Sequence, residues 1–241
     1  MKLSILMPVY NERQTIEKIV VKVLGAEIPG VRQKELVIVD DHSNDGTGES
    51  IRELVKNFPD QIVAISHERN QGKGAALQTA IQAMTGDICI IQDADLEYDP
   101  DNYPLALEPI IAGRADCVYG SRFVGSDAKR VLFFWHYVGN KFLTLLSNMF
   151  TNLNLTDMET GCKAFRSELL KSIPLRSKSF GFEPEITAKI SRRRCRIFEV
   201  GISYNGRTYE EGKKITWKDG MKAIFTILKF WLINDSVKPS V

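Results

Sequence analysis

The chain has 241 residues, 44% of them apolar and 26% charged, which suits one large or two small globular domains with a substantial core. No uncharged apolar run approaches the roughly 20 residues that cross a bilayer, and Met1-Lys2 leads straight into a strand pattern rather than a signal peptide, so a cytoplasmic protein is expected. The net charge of +2 conceals an asymmetry: residues 1–120 hold 11 Lys+Arg against 19 Asp+Glu, and residues 121–241 hold 21 against 11. A basic half suits a phosphate, an anionic membrane surface or nucleic acid, or is simply a solvated surface.

In chain order, Leu3 to Tyr10 reads as a strand, and residues 14–24 place Ile16, Ile19, Val20, Val23 and Leu24 at helical spacing. Glu35 to Asp41 is a second buried strand ending in paired carboxylates, followed by the turn Ser43-Asn44-Asp45-Gly46-Thr47 and a helix near 48–57. Ile62 to Ser66 is a third strand; Asn70-Gln71-Gly72-Lys73-Gly74 and a helix over about 74–84 follow it. Gly72-Lys73-Gly74 offers backbone N–H groups and a cation to a phosphate, or is a plain helix start. A fourth strand, Ile88 to Ile91, runs into Asp93-Ala94-Asp95-Leu96-Glu97, and Cys117-Val118-Tyr119 is a fifth. The alternation of strand and helix through residue 113 predicts a mostly parallel sheet flanked by helices. Cys89, Cys117, Cys162 and Cys195 are far apart and form no CxxC pair, so reduced thiols are expected rather than disulfides or a zinc site.

Beyond residue 120 the character changes. Phe133 to Phe150 is a long aromatic-rich segment that fits a core helix or one lying on a membrane surface. A short strand is expected around Lys163-Ala164-Phe165, a helix opened by Phe180-Gly181-Phe182-Glu183-Pro184-Glu185 and carrying Arg192-Arg193-Arg194 on a solvated face, a strand from Ile197 to Tyr204, and a polar loop from Arg207 to Lys214. The last helix, about Trp217 to Leu232, bears Trp217, Phe225, Phe230 and Trp231 as candidate membrane contacts or core fillers.

Asp93, Asp95 and Glu97 stand at the carboxyl end of a buried strand. Carboxylates there are costly unless something cationic accompanies them, and in an open α/β sheet the carboxyl ends of strands are where ligands bind. Oxygen ligands of this kind suit Mg²⁺ or Mn²⁺, which in turn suits a diphosphate. A solvated acidic loop is the alternative for such a motif taken alone.

Six segments in order carry a resemblance: Pro8-Val9-Tyr10-Asn11-Glu12, Val39-Asp40-Asp41-x-Ser43-x-Asp45-Gly46-Thr47, Asn70-x-Gly72-Lys73-Gly74, Asp93-Ala94-Asp95, Gly120-Ser121-Arg122-Phe123 and Asn205-Gly206-Arg207. Together they resemble inverting family-2 glycosyltransferases of GT-A fold, and within them the dolichol-phosphate mannose synthases and related polyprenyl-phosphate glycosyltransferases. The resemblance implies one α/β domain, a Rossmann-like sheet with a nucleotide-sugar-binding half (1–120) and an acceptor-binding half (121–241) that ends in an amphipathic helix. It implies that Pro8, Tyr10, Glu12, Val39 and Asp41 hold the base and ribose of a donor such as GDP-mannose or UDP-glucose, and that Asp93 and Ala94 line its diphosphate and sugar. Lys73 belongs to the same donor set. Asp93, Asp95 and Glu97 are the implied ligands of Mg²⁺ or Mn²⁺, with glutamate at 97 where glutamine is frequent. Arg207 and Lys213 would close over the diphosphate. Arg122 would meet the phosphate of a polyprenyl acceptor, with Asp93, Asp95 and Arg122 as the residues central to catalysis. A second acceptor contact falls to Lys129, Arg130 or His136, because the basic pair and serine of mannose-type synthases are replaced here by Phe134-Trp135-His136-Tyr137.

A lipid monophosphate is already anionic at neutral pH and needs alignment rather than deprotonation. A sugar-hydroxyl acceptor, the alternative, needs a carboxylate base, for which Glu183 and Asp157 are the candidates. A non-catalytic nucleotide- or nucleic-acid-binding protein is the third reading. Carboxylates at the strand ends repel nucleic acid, so no nucleic-acid partner is expected, while peripheral membrane contact through the basic half is.

Overall fold

The structure, a computed structural model, describes residues 1–125, 130–131, 133–208, 210 and 217–232, with side chains from residue 220 onward in the last segment. Seven strands form one sheet: β1 (Lys2–Val9), β2 (Gln33–Asp40), β3 (Ile62–Ser66), β4 (Ile88–Ile91), β5 (Cys117–Ser121), β6 (Lys163–Arg166) and β7 (Ile197–Gly201). Their order across the sheet is β3-β2-β1-β4-β6-β5-β7, and every neighbouring pair is parallel except those made by β6, which runs against both β4 and β5. The mostly parallel sheet expected from the sequence is therefore present.

The central strands read as unbroken apolar runs because both faces are covered. Alternate residues of β1 divide between two cores. Leu3, Ile5 and Met7 pack with α1 (Ile16–Gly25), α2 (Thr47–Asn57) and α4 (Tyr103–Ile111). Leu6 faces the opposite core with α3 (Lys73–Ala83), α5 (Phe134–Thr151), α6 (Ser167–Lys171), α7 (Phe182–Ser191) and α8 (Trp217–Leu232). Cys89, Cys117, Cys162 and Cys195 are free thiols, as their spacing predicts.

A short strap ties the two halves together. The Glu185 carboxylate in the first turn of α7 accepts from the Arg176 and Ser177 amides at 2.8 and 2.6 Å. The strap's own carbonyls then reach α3: the Ala75 amide donates to Lys178 O at 3.0 Å and Gln78 Nε2 to Ser177 O at 3.0 Å. The crossing is so close that a Cβ on Gly74 would overlap the carbonyl oxygen of Ser177. Arg192 and Arg194 are exposed, as expected of a solvated face, but that face also ties elements together: Arg192 Nη2 donates to the carbonyls of Phe230 and Trp231 at the end of α8, and Arg193 Nη2 to Ser172 O. Phe230 is a core residue, 1% exposed. Gly74→Ala should cost about 1–3 kcal/mol, the usual scale of overpacking, measured as a loss in denaturant midpoint; an unchanged midpoint would show that the strap yields freely.

Candidate active site

The chain runs from β1 through α1 to β2 on one side, then returns through α3 to β4 on the other. The gap beyond the carboxyl ends of β1 and β4 is thus a topological switch point, where the two crossovers leave a crevice. The turn after β1 brings Glu12 there, and the turn after β4 brings Asp93, Asp95 and Glu97. Because β6 is antiparallel, its amino end lies at the same edge, so the loop before it, Asp157 to Gly161, also arrives at the crevice. The segments after β5 (Arg122) and β7 (Tyr204 to Arg207) complete the rim.

Three carboxylates converge on one guanidinium. Arg207 Nη2 donates to Asp95 Oδ2 at 2.9 Å, and Nη1 and Nη2 reach Glu12 at 3.3 and 3.4 Å. Its amide donates to Glu97 Oε1 at 2.8 Å, while the Tyr204 hydroxyl donates to Glu97 Oε2 at 2.8 Å. Asp93 has a different partner: Lys73 Nζ lies 2.9 Å from its Oδ1 and 3.2 Å from Glu183 Oε1. Burial alone would lower the Lys73 pKa, but the Asp93 and Glu183 carboxylates outweigh it and hold the ammonium charged.

A second ion pair flanks the crevice. Arg122 grips Asp157 through Nε at 2.6 Å and Nη2 at 2.7 Å, and Asp157 is fully buried. Glu199 holds the same loop by accepting from the Thr156 and Asp157 amides. The guanidinium of Arg122 lies 5.3 Å over the Tyr204 ring, and the Arg130 amide donates to Tyr204 O while its Nη1 donates to Gly206 O. Arg122 and Arg130 therefore flank the same tyrosine. Lys129 and Lys213 lie outside the described residues.

The remaining expected donor residues divide. Tyr10 is 38% exposed at the mouth and Pro8 is half-buried, whereas Ala94 is buried beside Asp93. Val39 is 0% exposed in the core, so its side chain cannot form a wall for a nucleotide. Asp41 spends both oxygens inside the protein: Oδ1 accepts from the Gln71 amide and meets His67 Nδ1 at 2.7 Å, and Oδ2 accepts from the Gly72 amide. The Gly72 amide is one of those the sequence offered to a phosphate, and Asp41 already occupies it.

Three contributors, Tyr98, Gly161 and Lys141, were not singled out in the sequence. The hydroxyl of Tyr98 accepts from the Gly161 amide at 2.9 Å, and its ring stacks 5.2 Å from that of Tyr204. Gly161 must stay bare, because a Cβ there would meet Asp93 Oδ2 at 2.5 Å. Lys141 on α5 places Nζ 4.7 Å over the Phe123 ring and donates to Thr156 O, adding a cation beside Arg122. Its position one turn beyond Tyr137 was the available signal.

Among the described residues no three His, Cys, Asp or Glu side chains stand as a ready-made metal cage. The donor set nonetheless fits a hard divalent cation. The Asp95 carboxyl is pushed up to about 7 by burial and by the charges of Asp93 and Glu97, against the opposing pull of Arg207. Arg207 thus leaves a surplus of negative charge. A raised folded-state value means that, without metal, Asp95 supports stability at low pH and withdraws that support as pH rises from about 4 to about 7. Asp95→Asn should therefore gain thermal midpoint relative to wild type across that window in chelator. A midpoint difference that does not change with pH would show that the carboxylates are not crowded.

A family model described as Glycosyl transferase family 2 matches residues 4–173. The dolichol-phosphate mannosyltransferase of Pyrococcus furiosus is 27% identical over 236 residues, covering 95% of this chain; the chain spans 64% of that protein's length. A UDP-N-acetylglucosamine–dolichyl-phosphate N-acetylglucosaminyltransferase of Methanococcus voltae is 26% identical, with 93% of this chain and 94% of that protein covered. Among solved structures, glucosyl-3-phosphoglycerate synthase from Mycobacterium tuberculosis, in complex with Mn²⁺, UDP and phosphoglyceric acid, superposes with a TM-score of 0.73 at 23% identity, over 98% of this chain and 80% of that one. The fold is that of this GT-A neighbour, and the matched stretch includes β1 through β6 with the whole carboxylate cluster: the chain belongs to glycosyl transferase family 2.

Proposed function

We propose that the protein transfers a hexose from a nucleotide-diphosphate sugar, GDP-mannose or UDP-glucose, to a polyprenyl phosphate with inversion at the anomeric carbon. The observation that carries this reading is the pairing of two opposite sites on one crevice: carboxylates with surplus negative charge at Asp95, and cations at Arg122, Arg130 and Lys141 around Tyr204 and Phe123. The names of the similar transferases point the same way, since their acceptors are dolichyl phosphates.

Asp95 and Glu97, with Asp93 beside them, would hold Mg²⁺ or Mn²⁺, which when bound offsets the charge developing on the departing nucleoside diphosphate. Arg207 supplies a second positive charge at the same edge and stands within reach of Glu12, Asp95 and Glu97 alike. A phosphate oxygen of the acceptor forms the new bond to the anomeric carbon as the bond to the donor's diphosphate breaks. No proton needs removing, and the chain's arrangement agrees with that. Asp157 is locked by Arg122, and Glu183 is 5% exposed behind Lys73, so neither is presented as a base to a sugar hydroxyl. Arg122 Nη1 has no hydrogen bond among the described residues and is the atom left to meet a phosphate.

A lipid acceptor requires a membrane surface. Among the described residues no helix is long and apolar enough to cross a membrane. Two helices instead expose apolar stripes at helical spacing: Phe134, Val138, Phe142, Leu145 and Met149 on α5, and Met221, Phe225, Leu228 and Leu232 on α8. Phe150 and Trp231 join the two stripes, their rings 4.8 Å apart. The opposite sides of the same helices, Leu143 and Ser147, and Ala223, Ile227 and Phe230, fill the core. In the proposed function these stripes seat the protein on the cytoplasmic face of an anionic membrane.

A panel of nucleotide-sugars assayed with Mn²⁺ for transfer to a short-chain prenyl phosphate should give one productive donor, with activity lost in EDTA and restored by Mn²⁺ or Mg²⁺. Full activity in EDTA would remove the metal, and transfer to a saccharide hydroxyl with none to prenyl phosphate would replace the acceptor. In sedimentation, the protein should follow anionic liposomes at low salt, leave them at high salt and bind neutral ones poorly. Phe142→Glu with Phe225→Glu should reduce the bound fraction; equal, negligible binding to both liposome types would refute the membrane contact.

A further inference from the structure

Glu183 is a buried carboxylate that the proposed chemistry leaves without a task. It opens α7, where the unpaired amides of a helix start favour negative charge. One of its oxygens, Oε1, lies 3.2 Å from Lys73 Nζ, and the other, Oε2, is buried without a hydrogen-bond partner. A carboxylate half-satisfied in the interior is a net cost to folding. Its burial keeps it from touching a substrate in the crevice. Two cations feel its charge, Lys163 and Lys73. Lys163 Nζ donates to the carbonyls of Met158 and Thr160, so among the described residues one group links Glu183 to a carboxylate of the crevice.

That group is Lys73. A lysine stem has four rotatable bonds and a compact ammonium, so a single carboxylate does not fix its position. Here the ammonium is held from both ends, by Asp93 at 2.9 Å in front and by Glu183 behind. The scaffold around the rear anchor is rigid: Glu185, two residues on, pins the Arg176–Ser177 strap, and the strap is bonded to α3 at Ala75 and Gln78, next to Lys73 itself. Lys73 in turn faces Asp93, whose other neighbour is the bare Gly161 of the loop carrying Asp157. We propose that Glu183 is the positioning residue for Lys73, anchoring its ammonium from behind so that it stays on Asp93 and fixes that carboxylate in the crevice. This role rests on the reading of the crevice as the donor site.

A double-mutant cycle on the intact chain measures the coupling. Glu183→Gln keeps the size and removes the charge, and should lower kcat roughly tenfold or more, the scale of a lost charge-assisted hydrogen bond, with donor KM little altered. In a Lys73→Met background the same substitution should have no further effect. Glu183→Asp, which keeps the charge on a shorter stem, should show a smaller loss and serves where the glutamine variant fails to fold. Losses that simply multiply in the cycle would overturn the role. A crystal structure of the Glu183→Gln protein decides the point without turnover: Lys73 Nζ out of hydrogen-bonding reach of Asp93 is expected, and an unmoved Lys73 overturns the proposal. If the wild-type chain transfers no sugar, the donor-site reading fails, and the crystallographic result still judges Glu183.

Discussion

Carboxylates at the ends of buried strands are tolerable only where cations meet them, and this constraint organises the molecule. Asp95, Glu12 and Glu97 are met by Arg207, Asp93 by Lys73, and Asp157 by Arg122. Each pair joins segments far apart in sequence: residue 207 to residues 12, 95 and 97, residue 73 to 93, residue 122 to 157. The ion pairs are therefore also the stitches that draw the first-half turns and the second-half loops onto one edge of the sheet. Their balance is incomplete at Asp95, and in the proposed function that is what draws a further cation to the edge.

The antiparallel β6 is the device that allows this convergence. In an all-parallel sheet every strand would deliver only its following loop to the carboxyl edge. Reversing one strand delivers a preceding loop as well, and that loop brings Asp157 to Arg122 and Gly161 to Asp93. In the proposed function, the lock between Arg122 and Asp157 takes one candidate base out of play and so favours a phosphate acceptor.

Much of this was legible in the sequence. Unbroken apolar runs such as Leu36 to Val39 and Ile88 to Ile91 announce strands buried on both faces, and carboxylates directly after them announce a ligand edge. The direction of β6 was not legible, because four residues, Lys163 to Arg166, carry no sign of polarity. The resemblance makes Asp41 a nucleotide contact; the fold adds that the amides of Gln71 and Gly72, together with His67, use its oxygens. Arg192 is exposed, as its place among three arginines predicts, but no sequence signal places Phe230 at the end of α8, 38 residues on, against it. The stripes of α5 and α8 were half legible: aromatics were evident, but which of them face outward depends on packing, and Phe230 turned inward.

Arg207 has a consequence beyond neutralisation. Its guanidinium is tethered to the carboxylates it satisfies, so it acts as an intramolecular competitor at high effective concentration for any cation that enters. In the proposed function an incoming ion would have to displace it, and its apparent affinity would fall by the fraction of time the arginine holds the site. The displaced guanidinium would then lie beside the crevice, where it could pair with an anion. Cation and anion would thus be thermodynamically linked through one side chain, each favouring the other.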